Sequence, residues 1–500
     1  MPPKAQFRKS AEGALMPGVS FEDFTVTPSS ANRMDIALFV GFVRRGAGPI
    51  PAPLRRWLEQ QGWASPPYGR PLEDLLDVPV PLENMAAFES LFDWQRRTGS
   101  GGDGAAYLGA AVRSFFAQGG RKCYVVRVGD PWPLEAPRSL RLANIKLLIP
   151  GYPNDFAPSA ADRLSWSGAG HLFGLPDVSF VCLPDLADAV AMDRVRVPIP
   201  PPPARKEEFA ECSDELPLTI DIAVRDIGAP RCDGEGFSAW AAALTLLTGV
   251  ISGQAGRSAA LREVQLIAAV PLTDGPLAFT SAPSTAWLQL AYPWTRTPGS
   301  AGLPEQLESP DGVLAGVLAR NALIDGTFRS AANRHLADVY DVYPVLGHYQ
   351  QQQNRLIERV SLFGLTPTGL RLLSDVTMSA AEAYRPASVS RLIATISRAA
   401  RRLSQEVAFA PSGESLWSDI RNRLGVLMRM LYQAGAFRGS SPAAAYQIRC
   451  DRSTMSQNDI DNGRMIAHVK FEAAAPIDTI TVALIIHEGQ QDSPFATEAA

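Results

Sequence analysis

The run at residues 479–487, TITVALIIH, is apolar on both faces of any strand it forms. A strand of that kind needs cover on both sides, so it pairs with neighbouring strands, in its own chain or in another subunit. The residues before it set out the rest of a small unit. Leu416, Ile420, Leu424, Leu427 and Leu431 recur at helical spacing and give a long helix one apolar stripe. Ser412 is placed to cap that helix, Glu414 sits in the first turn, where the helix dipole favours an anion, and Gly435 supplies the stop. Met465, Ala467, Val469 and Phe471 then alternate with Ile466, His468, Lys470 and Glu472, the period of a half-buried strand. Residues 409–488 therefore read helix, strand, long loop, strand, edge strand.

The chain has 500 residues, of which 46% are hydrophobic, enough for two or three cores. A net charge of -4 gives no global basic field of the kind that binds nucleic acid. Cys123, Cys182, Cys212, Cys232 and Cys450 are odd in number, far apart and without a C-x-x-C. That fits reduced thiols in a cytosolic protein better than a disulfide framework or a zinc site. The polar start MPPKAQFRKSAEG has no apolar signal core, and the apolar run at 239–251 is too short to span a bilayer, so a soluble protein is expected.

Earlier in the chain, residues 36–43 (IALFVGFV) form a continuous apolar run, as in a strand buried on both faces. Residues 105–118 read as a helix through Leu108, Val112 and Phe115, Gly119-Gly120 ends it, and 123–128 (CYVVRV) is the next strand. Strands are expected at 145–149, 178–183 and 264–270, and a helix at 237–248. Pro198 and Pro200 to Pro203, with the charged run after them, make a stiff linker at 197–217.

Chemistry-bearing motifs fail on inspection. The glycine run at 99–104 (GSGGDG) lacks a following Lys-Ser/Thr and a preceding strand, so it is a loop rather than a phosphate cradle. His171, His335, His348, His468 and His487 are scattered, without an H-E-x-x-H. Residues 451–461 lack the alternating ligands and final glutamate of a calcium loop, and no nucleophile elbow is present. No catalytic, cofactor or metal residue is assigned.

Three stretches carry a family resemblance. Residues 409–486 resemble the C-terminal domain of contractile tail sheath proteins of myophages, R-type pyocins and extracellular contractile injection systems. The match runs through Leu416-Trp417, residues 431–437 and 444–450, Asp459-Ile460, Gly463-Arg464-Met465 and 476–486. AAVRSFFAQGGRKCYVVRV at 110–128 is similar to the family's helix, small pair and strand. Pro310, Gly312, Ala315, Gly316, Ala319, Arg320, Ala332 and Asn333 resemble its small-residue helix and following loop. The Pro17-Gly18-Val19 opening, with Phe21, Glu22 and Asp23, matches in part. Where family members often carry Trp-Gly-Ala-Arg-Thr, this chain has Leu372-Leu373-Ser374-Asp375-Val376-Thr377. That departure leaves room for a divergent paralogue acting as an adaptor near the baseplate or cap.

The resemblance implies an α/β (α+β) mixed-sheet core assembled from N- and C-terminal parts. The expected division is an extended arm at 1–35, a first part of the core at 36–130, an inserted outward-facing domain at 131–310, a C-terminal core domain at 311–488 and a flexible tail at 489–500. It implies a structural subunit assembled in the bacterial cytoplasm into six-fold rings that stack helically around an inner tube, with baseplate and cap proteins as partners. Nucleic-acid binding and membrane insertion are not expected. Strand exchange between subunits would use Pro17, Gly18, Val19 and Phe21 in the arm and Ile480, Val482, Leu484 and Ile486 in the last strand. On a helix at 388–407, Leu392, Ile396, Ala399 and Leu403 form the buried stripe, while Arg391, Arg398 and Arg402, with Arg401 beside them, form another. This second stripe is either a solvated face or a contact for an acidic tube; Arg421, Arg423 and Arg429 on the next helix are rivals for that contact.

Overall fold

A computed structural model of the chain describes residues 34–63, 72–100, 102–194, 227–253, 263–407, 410, 413–462, 464–474, 480–487 and 496–499. Eight strands make its main sheet: β1 (Ala37–Phe42), β2 (Pro79–Leu82), β3 (Cys123–Gly129), β4 (Phe180–Cys182), β5 (Gln265–Ala269), β6 (Leu288–Tyr292), β7 (Ser361–Thr366) and β8 (Gly369–Leu372). Their order across the sheet is β8-β7-β6-β5-β4-β1-β3-β2. The six inner strands are parallel, and β2 and β8 are antiparallel edges. Every residue of β1 is buried, as its unbroken apolar run requires of a parallel strand covered on both faces.

Two helices show how that cover is fitted. α1 (Tyr107–Ala117) packs on β1 and on the later helix α3, and between them in sequence lies α2 (Gly234–Ser252). α3 (Asp311–Ile324) is buried almost all round. It approaches α1 through Gly312 and Gly316, one turn apart. A Cβ on Gly312 would lie 2.3 Å from the Ala111 carbonyl oxygen, and one on Gly316 would lie 2.6 Å from the Phe115 carbonyl oxygen. The small-residue pattern read from the sequence is thus a contact surface where two backbones nearly touch. α2 is long and apolar enough to cross a membrane by length and composition, although residues 239–251 alone read as too short. Here its Phe237, Trp240, Leu244, Leu247 and Ile251 side chains lie in the main core.

That core runs from Ile36 to Met378 without a break at the expected boundaries. Residues 131–310 are not a separately cored insertion. They supply β4, β5 and β6, which stand between β1 and β7 in the same sheet. Apolar strands such as 178–183 and 264–270 have both faces to bury and take interior positions. A second correction concerns 145–149, which is the short helix Ile145–Leu148, with Ile145 and Leu148 buried and Lys146 and Leu147 exposed. That is helical spacing, which a five-residue apolar run cannot distinguish from a strand. The arm up to residue 33 and the proline-rich 197–217 lie outside the described residues, while Met34 is already buried.

A second core begins at Val389. It contains α4 (Ala387–Val407), α5 (Glu414–Gln433) and a four-stranded antiparallel sheet of β9 (Tyr446–Arg449), β10 (Arg464–Phe471), β11 (Ile480–His487) and β12 (Ala496–Ala499), in that order. α5 buries Trp417, Ile420, Leu424 and Met428, so the stripe is rotated slightly from the leucines and takes in Trp417. Ser412 lies outside the described residues, and Gly413 occupies the cap position. Gly435, at φ 82, ends the helix as expected. On β10, Met465, Ala467, Val469 and Phe471 are buried in alternation. Residues 496–499, expected in a flexible tail, instead form β12, whose backbone pairs antiparallel with β11; this occupies an edge that would otherwise present unpaired N–H and C=O groups.

The close α1–α3 crossing gives a direct test. Gly312→Ala should destabilise the chain by about 1–3 kcal/mol in urea unfolding, because the methyl must displace backbone. Gly249→Ala in α2, with nothing within 4 Å of the new methyl, should be neutral or slightly stabilising.

Candidate functional site

The two cores meet along a charged seam beneath the N-terminal ends of the sheet strands, and α4 lies across it. Arg391 reaches Asp375 with two hydrogen bonds, Nη2 to Oδ2 at 2.6 Å and Nη1 to Oδ1 at 3.0 Å. Its remaining donors go to the carbonyls of Thr327 and Arg329. Asp375 also accepts from the Ala331 backbone N–H at 2.7 Å and the Gln289 amide at 2.9 Å. Burial works to raise the pKa of this carboxyl, but Arg391 and these donors hold it below the usual range. The residues at 372–377 that depart from the family string therefore carry the anchor of the seam.

Seven residues further along α4, Arg398 donates to the carbonyls of Val178 at 2.6 Å and Asp177 at 3.1 Å, where the chain enters β4. Glu263, ahead of β5, lies 3.6 Å from Arg398 and 3.1 Å from Arg401. Burial raises the Glu263 pKa, and the neighbouring arginines oppose it. Arg391 and Arg398 are only 2% and 3% exposed. Neither can face a tube, contrary to expectation: a charge repeating along a helix reads as a surface, but the strand-end carbonyls and Asp375 need buried donors here. Arg401 and Arg402 are partly exposed at the rim.

β1 pairs with β3 on one side and β4 on the other, so strand order reverses between β1 and β4. Open parallel sheets bind ligands at the carboxyl ends of strands at such a point. In this chain Asp185, following β4, fills it: its Oδ2 accepts the Phe42 N–H at 2.8 Å. Gly41 makes room, since a Cβ there would lie 2.3 Å from that oxygen. Nearby, the buried Asp188 bonds Arg97 at 2.6 Å and Trp132 at 3.0 Å and pairs with Arg194. Burial would raise the Asp188 pKa, but Arg194, Arg97 and Arg141 hold it well below the ordinary carboxylate range. Among the described residues no cluster of His, Cys, Asp and Glu is arranged to hold a metal. Cys123, Cys182, Cys232 and Cys450 are free and buried.

The surfaces expected to take part in assembly are distributed as follows. Pro17, Gly18, Val19 and Phe21 lie outside the described residues. Ile480, Val482, Leu484 and Ile486 are on β11, opposite Phe471, Val469, Ala467 and Met465 of β10, with β12 on the other side. The last strand is thus paired within its own chain. On α5, Val426 and Met430 are 55% and 59% exposed, beside exposed Arg423 and Arg429. Arg423 pairs with Asp419 and Glu406. Of the seam acids, Asp375 is marked in the sequence only as part of the 372–377 departure from the family string, and Glu263 is not singled out.

Comparison with protein-family models gives no match, and none is found among curated proteins. Solved structures do match. The helical sheath of the anti-feeding prophage (AFP) in its contracted state aligns with a TM-score of 0.55 and 19% identity over 93% of this chain and 98% of that one. A chain of the AFP baseplate in its contracted state reaches a TM-score of 0.59 at 18% identity, over 93% of this chain and 97% of that one. The chain has the fold of contractile-sheath subunits, mixed sheet and C-terminal unit together. The sheath complex of an extracellular contractile injection system, PVC, in its contracted state is similar as well, with a TM-score of 0.52 and 17% identity over 93% of this chain and 96% of that one.

Arg391→Ala should cost about 3–5 kcal/mol, because it strands Asp375 as an unpaired buried carboxylate; thermal unfolding of the variant measures this. Burial also pushes three carboxyls up: Asp185 to about 7, Glu308 to about 8 and Asp311 to about 6. Each holds its proton in the folded state at a pH where the unfolded chain has lost it. Their contribution is therefore fully present at low pH and is lost as pH rises through 6–8. Glu308 accepts from Ser114 at 2.6 Å, so Glu308→Gln keeps a neutral partner there. The melting temperature should fall as pH rises from about 4.5 to about 8, and less steeply in this variant.

Proposed function

We propose that this chain is the structural subunit of a contractile tail sheath. Subunits polymerise helically around an inner tube and, on release by a baseplate, rearrange into a shorter and wider lattice that drives the tube through a target envelope. One observation carries this reading: a single fold covers 93% of this chain and 98% of a subunit of the AFP sheath. The role is mechanical. Asp185 occupying the point of strand reversal supports a non-catalytic reading, since the place where such sheets usually bind small ligands is taken by a side chain. Energy stored at assembly requires no nucleotide site.

Six-fold rings stacked without closure along the axis make a helix. Strand addition by Pro17, Gly18, Val19 and Phe21 of one subunit would keep rings joined by backbone hydrogen bonds while the bodies move; it would need an outer edge of the neighbour's small sheet, at β9 or β12, because Ile480, Val482, Leu484 and Ile486 lie on β11, which is paired on both sides. With Arg391 and Arg398 inside the protomer, the tube contact passes to α5, where Arg423 and Arg429 flank exposed Val426 and Met430. That face is mixed in charge, since Arg423 pairs with Asp419 and Glu406, and partly apolar, which suits a tube contact held in register yet breakable. Assembly takes place in the bacterial cytoplasm as part of a phage-tail-like particle, with baseplate and cap proteins at its ends.

Electron microscopy of the purified chain with its tube protein tests this. Hollow, striated tubes of uniform width are expected, and deletion of residues 1–26 should leave folded subunits that do not extend into long tubes. Single rings or monomers from the intact chain would instead place it beside the baseplate or cap.

A further inference from the structure

The seam between the two cores contains one small cavity of about 10 Å³, bounded by Gln265 at the start of β5, Ser390 on α4, and Glu263, Ser179, Arg391 and Trp287. Trp287 packs against both cores, so the cavity lies on the joint itself. Most of its lining is apolar, from Met34, Phe180, Val264, Trp287 and Ala394, and the polar groups at its wall lie at a depth where such groups are normally paired. Gln265 is 4% exposed and Ser390 2% exposed. Neither atom of the Gln265 amide, nor the Ser390 hydroxyl, has a hydrogen-bond partner among the described residues. The backbone of Gln265 is fixed, its N–H donating to the Ser179 carbonyl at 2.9 Å. Buried polar atoms of this kind are satisfied by protein or by ordered water, and a space of this size admits one water.

We propose that the cavity is a solvent site built into the joint, holding a single water that links Gln265 of the sheet to Ser390 of α4. The amide offers one donor direction and one acceptor, and the hydroxyl offers both, so a water there makes the two to four hydrogen bonds that such molecules need. The surrounding charge selects a neutral occupant. With Arg391 neutralised by Asp375, Arg398 and Arg401 still outnumber Glu263 and repel a cation, while the buried Glu263 carboxylate at the cavity wall opposes an anion. The joint is thus bonded in two ways: directly through arginine pairs, and through solvent between two uncharged side chains that do not bond each other.

A crystal structure of the full chain at a resolution that shows single waters, together with a double-mutant cycle on Gln265→Leu and Ser390→Ala, tests the proposal. The expected result is one peak within hydrogen-bond distance of both side chains. Each single variant should lower the melting temperature by about 1–2 °C, and the double variant by less than the sum, because either change removes the shared bridge. An empty site with the Gln265 amide turned onto a protein partner would overturn the proposal, as would strictly additive shifts. A peak with the short contacts and regular coordination of a metal ion would also refute it.

Discussion

Asp375 gathers three separate parts of the chain onto one carboxylate. It accepts from Arg391 on α4, from Gln289 on β6 and from the backbone of Ala331, beside the segment that supplies Arg391 with further acceptors. In a desolvated setting these partners are not interchangeable: a buried charge without its counter-charge is costly, whereas a fully bonded one fixes a single arrangement. Arg398 repeats the device at the start of β4, with carbonyl oxygens in place of a carboxylate. Two hydrophobic cores that would otherwise meet across a polar boundary are held in one relative position.

The main sheet depends on the same precision by other means. α1 and α3 sit one above the other only because Gly312 and Gly316 remove the side chains that would separate them. At the point of strand reversal, Gly41 does the same for Asp185. In both places a missing Cβ lets a backbone or a carboxylate into space that any other residue would close.

These features differ in how far the sequence reveals them. β1, the α1–Gly119–β3 unit, the glycines of α3 and the alternation on β10 follow from local spacing, and local spacing is what a sequence displays. The place of residues 131–310 does not, because β4, β5 and β6 join strands distant in the chain, and a both-face apolar strand looks the same in an independent domain. The burial of Arg391 and Arg398 was hidden for a related reason. Their partners, Asp375 and the carbonyls of Asp177 and Val178, are brought to them by tertiary structure alone.

The pairing of β10 with β11 also has a mechanical meaning. Its register runs unbroken from Arg464 opposite His487 to Phe471 opposite Ile480, eight residue pairs in antiparallel alignment. A pull along the strand direction loads all of those rungs together, in shear, while a pull across the strands opens them one by one. Tension entering through β11 along its own axis therefore meets the full ladder before it reaches β10. From there the arginines of α4 link the second core to the main sheet, so the chain resists stretching in the direction in which β11 runs.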